Sequence, residues 1–526
     1  MSEPCTHDVV IVGGGHNALV AAAYLARAGR SVVVLERLDH VGGAAVSETP
    51  WAGVEARLSR YSYLVSLLPR SIIDDLGLRI ALRRRRYSSY TPDPTDPARG
   101  ILVDTADAAA TAASFERTTG DRDEADRYAR FGERLAPLAR ALFPTMTEPL
   151  VREESLRLAL GDDDLWHDVA VGPLGDLLRS ALTTDIARGI ALTDGLIGTY
   201  SYADDPSLRQ NRCFLYHVVG GGTGDWDVPV GGMGRVTGEL ERAAREAGAE
   251  VRTSAEVEAV TPDGEVRLAG GEALCGQIVL SGVGPAVLRR LLRAGGAHDD
   301  DAAEPPEGAQ VKVNMLLRRL PRLHDAAVAP DAAFAGTFHI NETMTQLDAA
   351  YVAAAETGIP SPLPAEIYCH SLTDPSILGA QLREEGAQTL TLFGLQVPHR
   401  LVADRERATA RDELLAAAQR SLDSVLAEPI ADCVYEAADG TPCIEARTTA
   451  DLEASLGMIG GDIFHGTLSW PWAGADEPLE TPAERWGVAT RHPTVLLCGS
   501  GARRGGAVSG LGGHNAAMAA LEMLNG

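Results

Sequence analysis

The run Asp8-Val9-Val10-Ile11-Val12 breaks into Gly13-Gly14-Gly15-His16-Asn17-Ala18 and continues into an Ala-rich stretch from Leu19 to Ala28. A second apolar run, Ser31-Val32-Val33-Val34-Leu35, ends in Glu36. Strand, glycine turn, helix, strand and acid in this order predict a βαβ unit of the dinucleotide-binding kind. Gly13 suits the tight turn out of the strand, and Gly15 leaves room for a pyrophosphate to reach the backbone. Ala18 is small enough for the helix to pack closely on the sheet. The helix start offers free N–H groups and a positive dipole end to phosphates. Glu36 falls where a carboxylate accepts ribose hydroxyls, which disfavours a 2′-phosphate at the same place.

Bulk properties narrow the function classes. With 526 residues the chain can form two domains with large cores. Lys and Arg number 47 against 73 Asp and Glu, a net charge of −26, which argues against nucleic acid and anionic membranes as partners. Met1-Ser2-Glu3-Pro4 has neither a basic start nor an apolar core of a secretory signal, and no apolar run is long enough to span a bilayer. Seven scattered cysteines without a C-x-x-C pair predict buried free thiols, a cytoplasmic location and no metal site.

A second glycine pair follows the acid at once, in Arg37 and then Val41-Gly42-Gly43-Ala44-Ala45. Further stretches are Gly231-Gly232-Met233-Gly234, Gly461-Asp462-Ile463-Phe464-His465-Gly466 and Cys498-Gly499-Ser500-Gly501. In this order they resemble the phytoene-desaturase-like FAD oxidoreductases of the amine-oxidase superfamily, almost end to end. Within these the chain is most similar to the branch typified by pyridine nucleotide-disulfide oxidoreductase domain-containing protein 2. The resemblance implies FAD as cofactor. It assigns Gly13, Gly15, His16, Asn17, Ala18, Glu36, Arg37, Gly42, Gly43 and Ala44 to the first cofactor segment. Val257 would bind the adenine end through its backbone, and Gly499, Ser500, Gly512, Gly513 and Asn515 would approach the flavin from the C-terminal segment. His514 and the Arg503-Arg504 pair depart from the wider superfamily and bear on the substrate more than on the cofactor.

The implied fold is α/β. A Rossmann-like FAD-binding domain is built from discontinuous segments, residues 1–72, 230–300 and 486–526. An α+β substrate-binding domain, residues 73–229 and 301–485, has a mixed or antiparallel sheet and a helical part. Tyr128, Phe131, Leu135, Leu138 and Leu142 recur at helical spacing. Val311–Leu317 and Thr389–Val397 read as strands, and 403–426 as a long helix. Arg83-Arg84-Arg85-Arg86 reads as a solvated basic edge paired with local acids.

The function so implied is dehydrogenation of a small organic substrate by hydride transfer to flavin N5, with oxygen, a quinone or another acceptor reoxidising the flavin. Alternatives are a flavin-dependent isomerase or cyclase without net redox change, a non-catalytic flavin-bound scaffold, and an NAD enzyme using the single dinucleotide site. Side-chain candidates for catalysis are His465, in a glycine-flanked loop, and His217, as proton acceptors or positioning groups. A structural histidine bonded to a backbone carbonyl competes for His465, and core packing competes for His217. Tyr63, Tyr216, Trp226 and Arg503 are candidates for the substrate pocket. Tyr216 and His217 are taken to lie on a strand, so that only one faces the pocket. A low aromatic content of 5% favours a smaller or more polar substrate than a carotenoid, with membrane contact not required.

Overall fold

A computed structural model describes residues 6–62, 64–298, 304–356 and 358–526. The βαβ unit forms as its pattern predicts, with strands His7–Val12 and Val32–Leu35 pairing in parallel on either side of the helix His16–Arg27 in sequence. Ala273–Ser281 pairs with the other side of His7–Val12, Val495–Leu497 with Ala273–Ser281, and Glu250–Arg252 with Val32–Leu35, all in parallel. The antiparallel strands Val257–Val260 and Glu265–Leu268 extend the sheet. Val9–Val12 and Val32–Leu35 are buried at every position, as expected for parallel strands covered on both faces. Ten of the twelve residues of the first helix are buried, and the last helix, Leu511–Asn525, packs against it.

A second sheet has the order 444–448, 311–317, 388–394, 365–368, 337–340, 87–93 and 96–104. Every pair is antiparallel except Thr337–Ile340 with Tyr87–Asp93, so the sheet is mixed. Its two faces differ sharply. Val311, Val313, Phe338, Ile340, Ile367, Leu390 and Leu392 share one face and join the apolar core under the helix Arg407–Asp423. On the other face the register aligns Ser89, Thr337 and Tyr368 in one row, and His339, Glu366, Phe393 and Lys312 in the next. This second face is buried too. Helices between residues 108 and 218 form a separate apolar core and close over it.

Two readings of the sequence change. Tyr216 and His217 lie on the helix Arg209–Val218, not on a strand. Neighbouring helical residues are about 100° apart, so both can border one wide cavity, as they do. Cys213, Cys369, Cys433, Cys443 and Cys498 are buried free thiols, but Cys275 is disulfide-bonded, a pairing that scattered spacing could not reveal. The four-arginine run forms the expected exposed edge paired with acids, Arg84 with Asp225 and Arg86 with Asp104, except that Arg85 turns inward and donates to Thr337 Oγ1. Among the described residues no helix is long and apolar enough to cross a membrane.

The first and last helices touch so closely that a Cβ on Gly513 would stand 1.9 Å from the Asn17 carbonyl oxygen. Gly513→Ala is expected to destabilise the protein by about 1–3 kcal/mol through overpacking. Gly238→Ala, inside the helix Met233–Glu246 where a Cβ meets nothing within 4 Å, is expected to stabilise it by about 0.5–1 kcal/mol. Denaturant unfolding of both variants checks the contrast; equal shifts would contradict the packing account.

Candidate functional site

The glycine turn becomes a cradle through its backbone. Gly13 adopts φ +89°, which lets the chain leave the strand, and its N–H donates to the Leu35 carbonyl oxygen at 2.8 Å. The Gly14 N–H donates to Glu36 Oε2 at 2.7 Å, and the Leu38 N–H to Oε1 at 2.9 Å. The carboxylate therefore holds the turn while still bordering the cavity. Gly15 caps the first helix, and a Cβ there would meet nothing within 4 Å. Gly42 donates to the Gly14 carbonyl oxygen at 2.9 Å, which draws the second glycine pair alongside the first. His16 Nε2 and Asn17 Oδ1 are buried without a partner among the described residues, on residues that line the cavity. Free helix-start N–H groups, an open glycine and two orphaned polar atoms suit a dinucleotide's phosphates and sugar.

The cradle opens into a cavity of about 700 Å³. Gly13, Gly15, His16, Asn17, Glu36, Arg37, Gly43, Ala44, Val257, Gly499 and Ser500 border it, as do His465, His217, Tyr216 and Trp226. The polar face of the second sheet contributes Ser89, Thr337, His339, Glu366 and Tyr368. Tyr128, Phe131, Ile190 and Asp194 from the helical part border the cavity as well. His217 Nδ1 lies 2.8 Å from the Cys213 carbonyl oxygen. A carbonyl only accepts, so Nδ1 carries the proton and Nε2 is left as an acceptor in the neutral ring. The ring stacks on Trp226 at 5.1 Å, and Trp226 Nε1 donates to the His217 carbonyl oxygen at 3.2 Å.

His465 sits in a tight turn at φ +63°. Its N–H donates to the Asp462 carbonyl oxygen at 3.0 Å, and the Phe464 N–H donates to Asp462 Oδ1 at 2.8 Å. Burial pushes the Asp462 carboxyl up to about 7 despite those backbone donors. Gly284 leaves room for the His465 ring: a Cβ there would come within 2.6 Å of its Nδ1. Burial pulls His465 down to about 4, and His16 likewise to about 4, so both rings are neutral at pH 7.

Several residues marked in the sequence stand off the cavity. Ala18 packs toward Gly282, and Gly42 is enclosed by Val46 and Thr237. Gly512 and Gly513 serve close backbone approach: a Cβ on Gly512 would lie 2.6 Å from the Gly499 carbonyl oxygen. Asn515 is fully buried and donates to the Met146 carbonyl oxygen at 3.2 Å. Arg503 points to Glu477, at 2.7 Å, and to the Trp472 carbonyl oxygen. Arg504 is buried and donates to the carbonyl oxygens of Thr145, Glu148 and Trp486. Tyr63 lies outside the described residues. Asp194, His339, Glu366 and Tyr368 were not marked by sequence reasoning. For His339, Glu366 and Tyr368 the signal was alternation along strands, which reads as a solvent-facing edge until the sheet is seen to be covered; Asp194, at the end of the helix Asp185–Thr193, carried none.

Residues 11–69 match the NAD(P)-binding Rossmann-like domain family model. An uncharacterized protein of Mycobacterium tuberculosis is 54% identical over 98% of this chain and 97% of its own length. Pyridine nucleotide-disulfide oxidoreductase domain-containing protein 2 of Rattus norvegicus is 30% identical over 97% of this chain and 92% of its own length. The chain belongs to that protein's family. Family membership runs through both sheets and the cavity between them, because the match covers nearly the whole length. Cyclohexylamine oxidase from Brevibacterium oxydans shares the fold, with a TM-score of 0.58 over 99% of this chain and 100% of that one, at 14% identity.

The two neutral histidines give a pH signature. A histidine whose folded pKa lies below its unfolded 6.5 binds fewer protons when folded, so its stabilising contribution is lost as pH falls from 6.5 toward 4. Near pH 5 the loss is roughly 2 kcal/mol for one such ring. His465→Gln is expected to lose less stability between pH 7 and pH 5 than the parent protein, measured by denaturant unfolding at both pH values. Parallel losses in the two proteins would contradict a buried neutral His465.

Proposed function

We propose that this chain is an FAD-dependent oxidoreductase that removes two hydrogens from a small organic substrate. The observation that carries the reading is the continuity of one cavity from the glycine cradle to the polar sheet face. A dinucleotide held by Gly13–Asn17 and Glu36 would share that cavity with whatever the second sheet binds. FAD bound there supplies the two-electron acceptor for a hydride leaving the substrate.

The chain's own residues do the rest. Glu36 accepts from the sugar hydroxyls, and the start of the first helix meets the phosphates. His217 Nε2 takes the proton that leaves the substrate, since Nδ1 is already committed to the Cys213 carbonyl oxygen. His465, held neutral by burial, is a weak base and acts as a hydrogen-bonding positioning group. Phe131, Leu135 and Ile190 line the cavity with apolar surface and limit the water that reaches it. Reoxidation falls to oxygen, a quinone or another acceptor.

The test is an anaerobic absorbance titration of the purified protein with a metabolite extract from its source organism. The reading predicts bleaching of the visible flavin band together with a metabolite that becomes two hydrogens lighter. A metabolite changed at constant mass under an intact band would overturn net dehydrogenation and favour the isomerase alternative.

A further inference from the structure

Three polar groups from separate elements meet the cavity uncommitted. Tyr128 comes from the helix Glu124–Leu142, Asp194 directly follows the helix Asp185–Thr193, and His339 stands on the strand Thr337–Ile340. Among the described residues the Tyr128 hydroxyl, the Asp194 carboxyl and His339 Nε2 have no hydrogen-bond partner, and none of them is sealed inside the protein. Asp194 is the common neighbour: Tyr128 feels its charge, and it feels those of His339 and His217.

What the groups offer a ligand depends on where their protons sit. His339 Nδ1 lies 2.6 Å from Glu342 Oε2, and the Thr193 hydroxyl donates to the same oxygen at 2.8 Å. Burial opposes charge on the His339 ring, yet Glu342, Glu366 and Asp194 together raise it above its usual value. That favours the imidazolium, in which Nε2 is a second N–H donor.

Three carboxyls thus face one cation. Glu342 holds it, and Glu366 accepts from Tyr368 Oη at 2.6 Å. Asp194 has neither kind of partner, so burial pushes its carboxyl up and favours the protonated form. Burial raises the Tyr128 hydroxyl too, with Asp194 adding to the effect, and Cys213 beside them is raised by burial and supplies no charge. His217 is the opposite kind of group: its Nδ1 proton is committed to the Cys213 carbonyl oxygen, so Nε2 accepts. Titratable groups held in opposite protonation states in one chamber mark separate acid and base roles.

We propose that Tyr128 Oη, the Asp194 carboxyl and His339 Nε2 are a donor set for a carbonyl oxygen, so that the substrate is a carbonyl compound losing hydrogen from the two carbons beside its C=O. The hydrogen-bonded C=O draws electrons from the adjacent carbon, whose proton passes to His217 Nε2. The next carbon gives up a hydride to the bound flavin. The electron pair left behind by the proton becomes the new C=C, conjugated with the C=O, so one proton and one hydride leave. Donors fixed in place around an oxygen that gains charge lower the barrier to this step. Phe131, Leu135 and Ile190 take the apolar remainder of the molecule. An ammonium group brings only donors and would meet donors. This inference rests on the reading of the cavity as the chamber of a flavin-dependent dehydrogenase.

The experiment titrates the purified protein with cyclohexanone, methylenecyclohexane and cyclohexylammonium, following tryptophan fluorescence and the visible flavin spectrum, and records the infrared C=O stretch of the bound ketone. The parent protein is expected to bind the ketone at least tenfold more tightly than the hydrocarbon of the same shape, and more tightly than the ammonium. The bound C=O stretch is expected at lower wavenumber than in water. Tyr128→Phe and Asp194→Leu are each expected to cut the preference severalfold and move the stretch back, while Asp194→Asn, which keeps an N–H donor, retains most of both. Equal binding of ketone and hydrocarbon, tighter binding of the ammonium, no binding of the ketone, or an unshifted stretch would overturn the assignment, as would a preference unchanged in both Tyr128→Phe and Asp194→Leu. The parent series and Tyr128→Phe decide the matter even if Asp194→Leu fails to fold. Flavin content of the same samples separates the two readings. Protein that stays flavin-free after incubation with FAD counts against the cofactor, whereas flavin-bearing protein without a ketone preference counts against the donor set alone.

Discussion

The close contact between the first helix and the last is the constraint on which the rest depends. The first helix runs from the cradle at Gly15 and is buried along nearly its whole length. The last helix crosses it with Gly513 over the Asn17 backbone and Gly510 beside Val20. Residues from the two ends of the chain thus share one core, joined by Met233, Val236 and Leu240 from the middle of the chain. The parallel sheet can be assembled only when all three segments meet. That closure also brings Gly499 and Ser500 to the cavity that the N-terminal glycines border. Small residues recur in both helices because a side chain larger than alanine would hold them apart and misalign the cradle.

The second constraint is electrostatic. A seven-stranded sheet with one apolar face usually gives its other face to water. Here the second face is covered by the helical part and by the dinucleotide unit, so its polar side chains must find partners inside the protein. Most do so. Tyr368 Oη donates to Glu366 at 2.6 Å, Lys312 Nζ to the Ser59 carbonyl oxygen at 2.8 Å, and Thr391 Oγ1 to Asn314 Oδ1 at 3.1 Å. Among the described residues, Ser89 Oγ and Thr91 Oγ1 on the strand Tyr87–Asp93 are left without a partner. The network holds in place the polar side chains that border the cavity.

Much of the fold was legible because it rests on local patterns. The βαβ unit, the strands 311–317 and 388–394 and the helix Arg407–Asp423 follow from apolar periodicity and from glycines at the turns. The cradle was legible for the same reason: Gly13, Gly15 and Glu36 are set by short-range geometry. The chamber was not. Whether a polar residue on an alternating strand faces water or a cavity depends on what covers the sheet, and that is decided hundreds of residues away. His339 and Glu366 therefore look like solvent-facing positions in sequence. Tyr216 and His217 were misread because Phe214, Leu215, Tyr216 and Val218 suit a strand as well as a buried helix. Arg503 looked like a pocket residue because its partner, Glu477, lies in a separate loop. Gly512 and Gly513 were marked for the cofactor, yet they serve the close backbone approach beside Gly499 and Asn17, while Asn515 ties the last helix to Met146.

The central claim is that the cradle holds FAD. Denaturing the purified protein and identifying the released small molecules by mass tests it most directly. The account predicts FAD at close to one molecule per chain. A nicotinamide dinucleotide in its place, or no dinucleotide even after incubation with FAD, would contradict it.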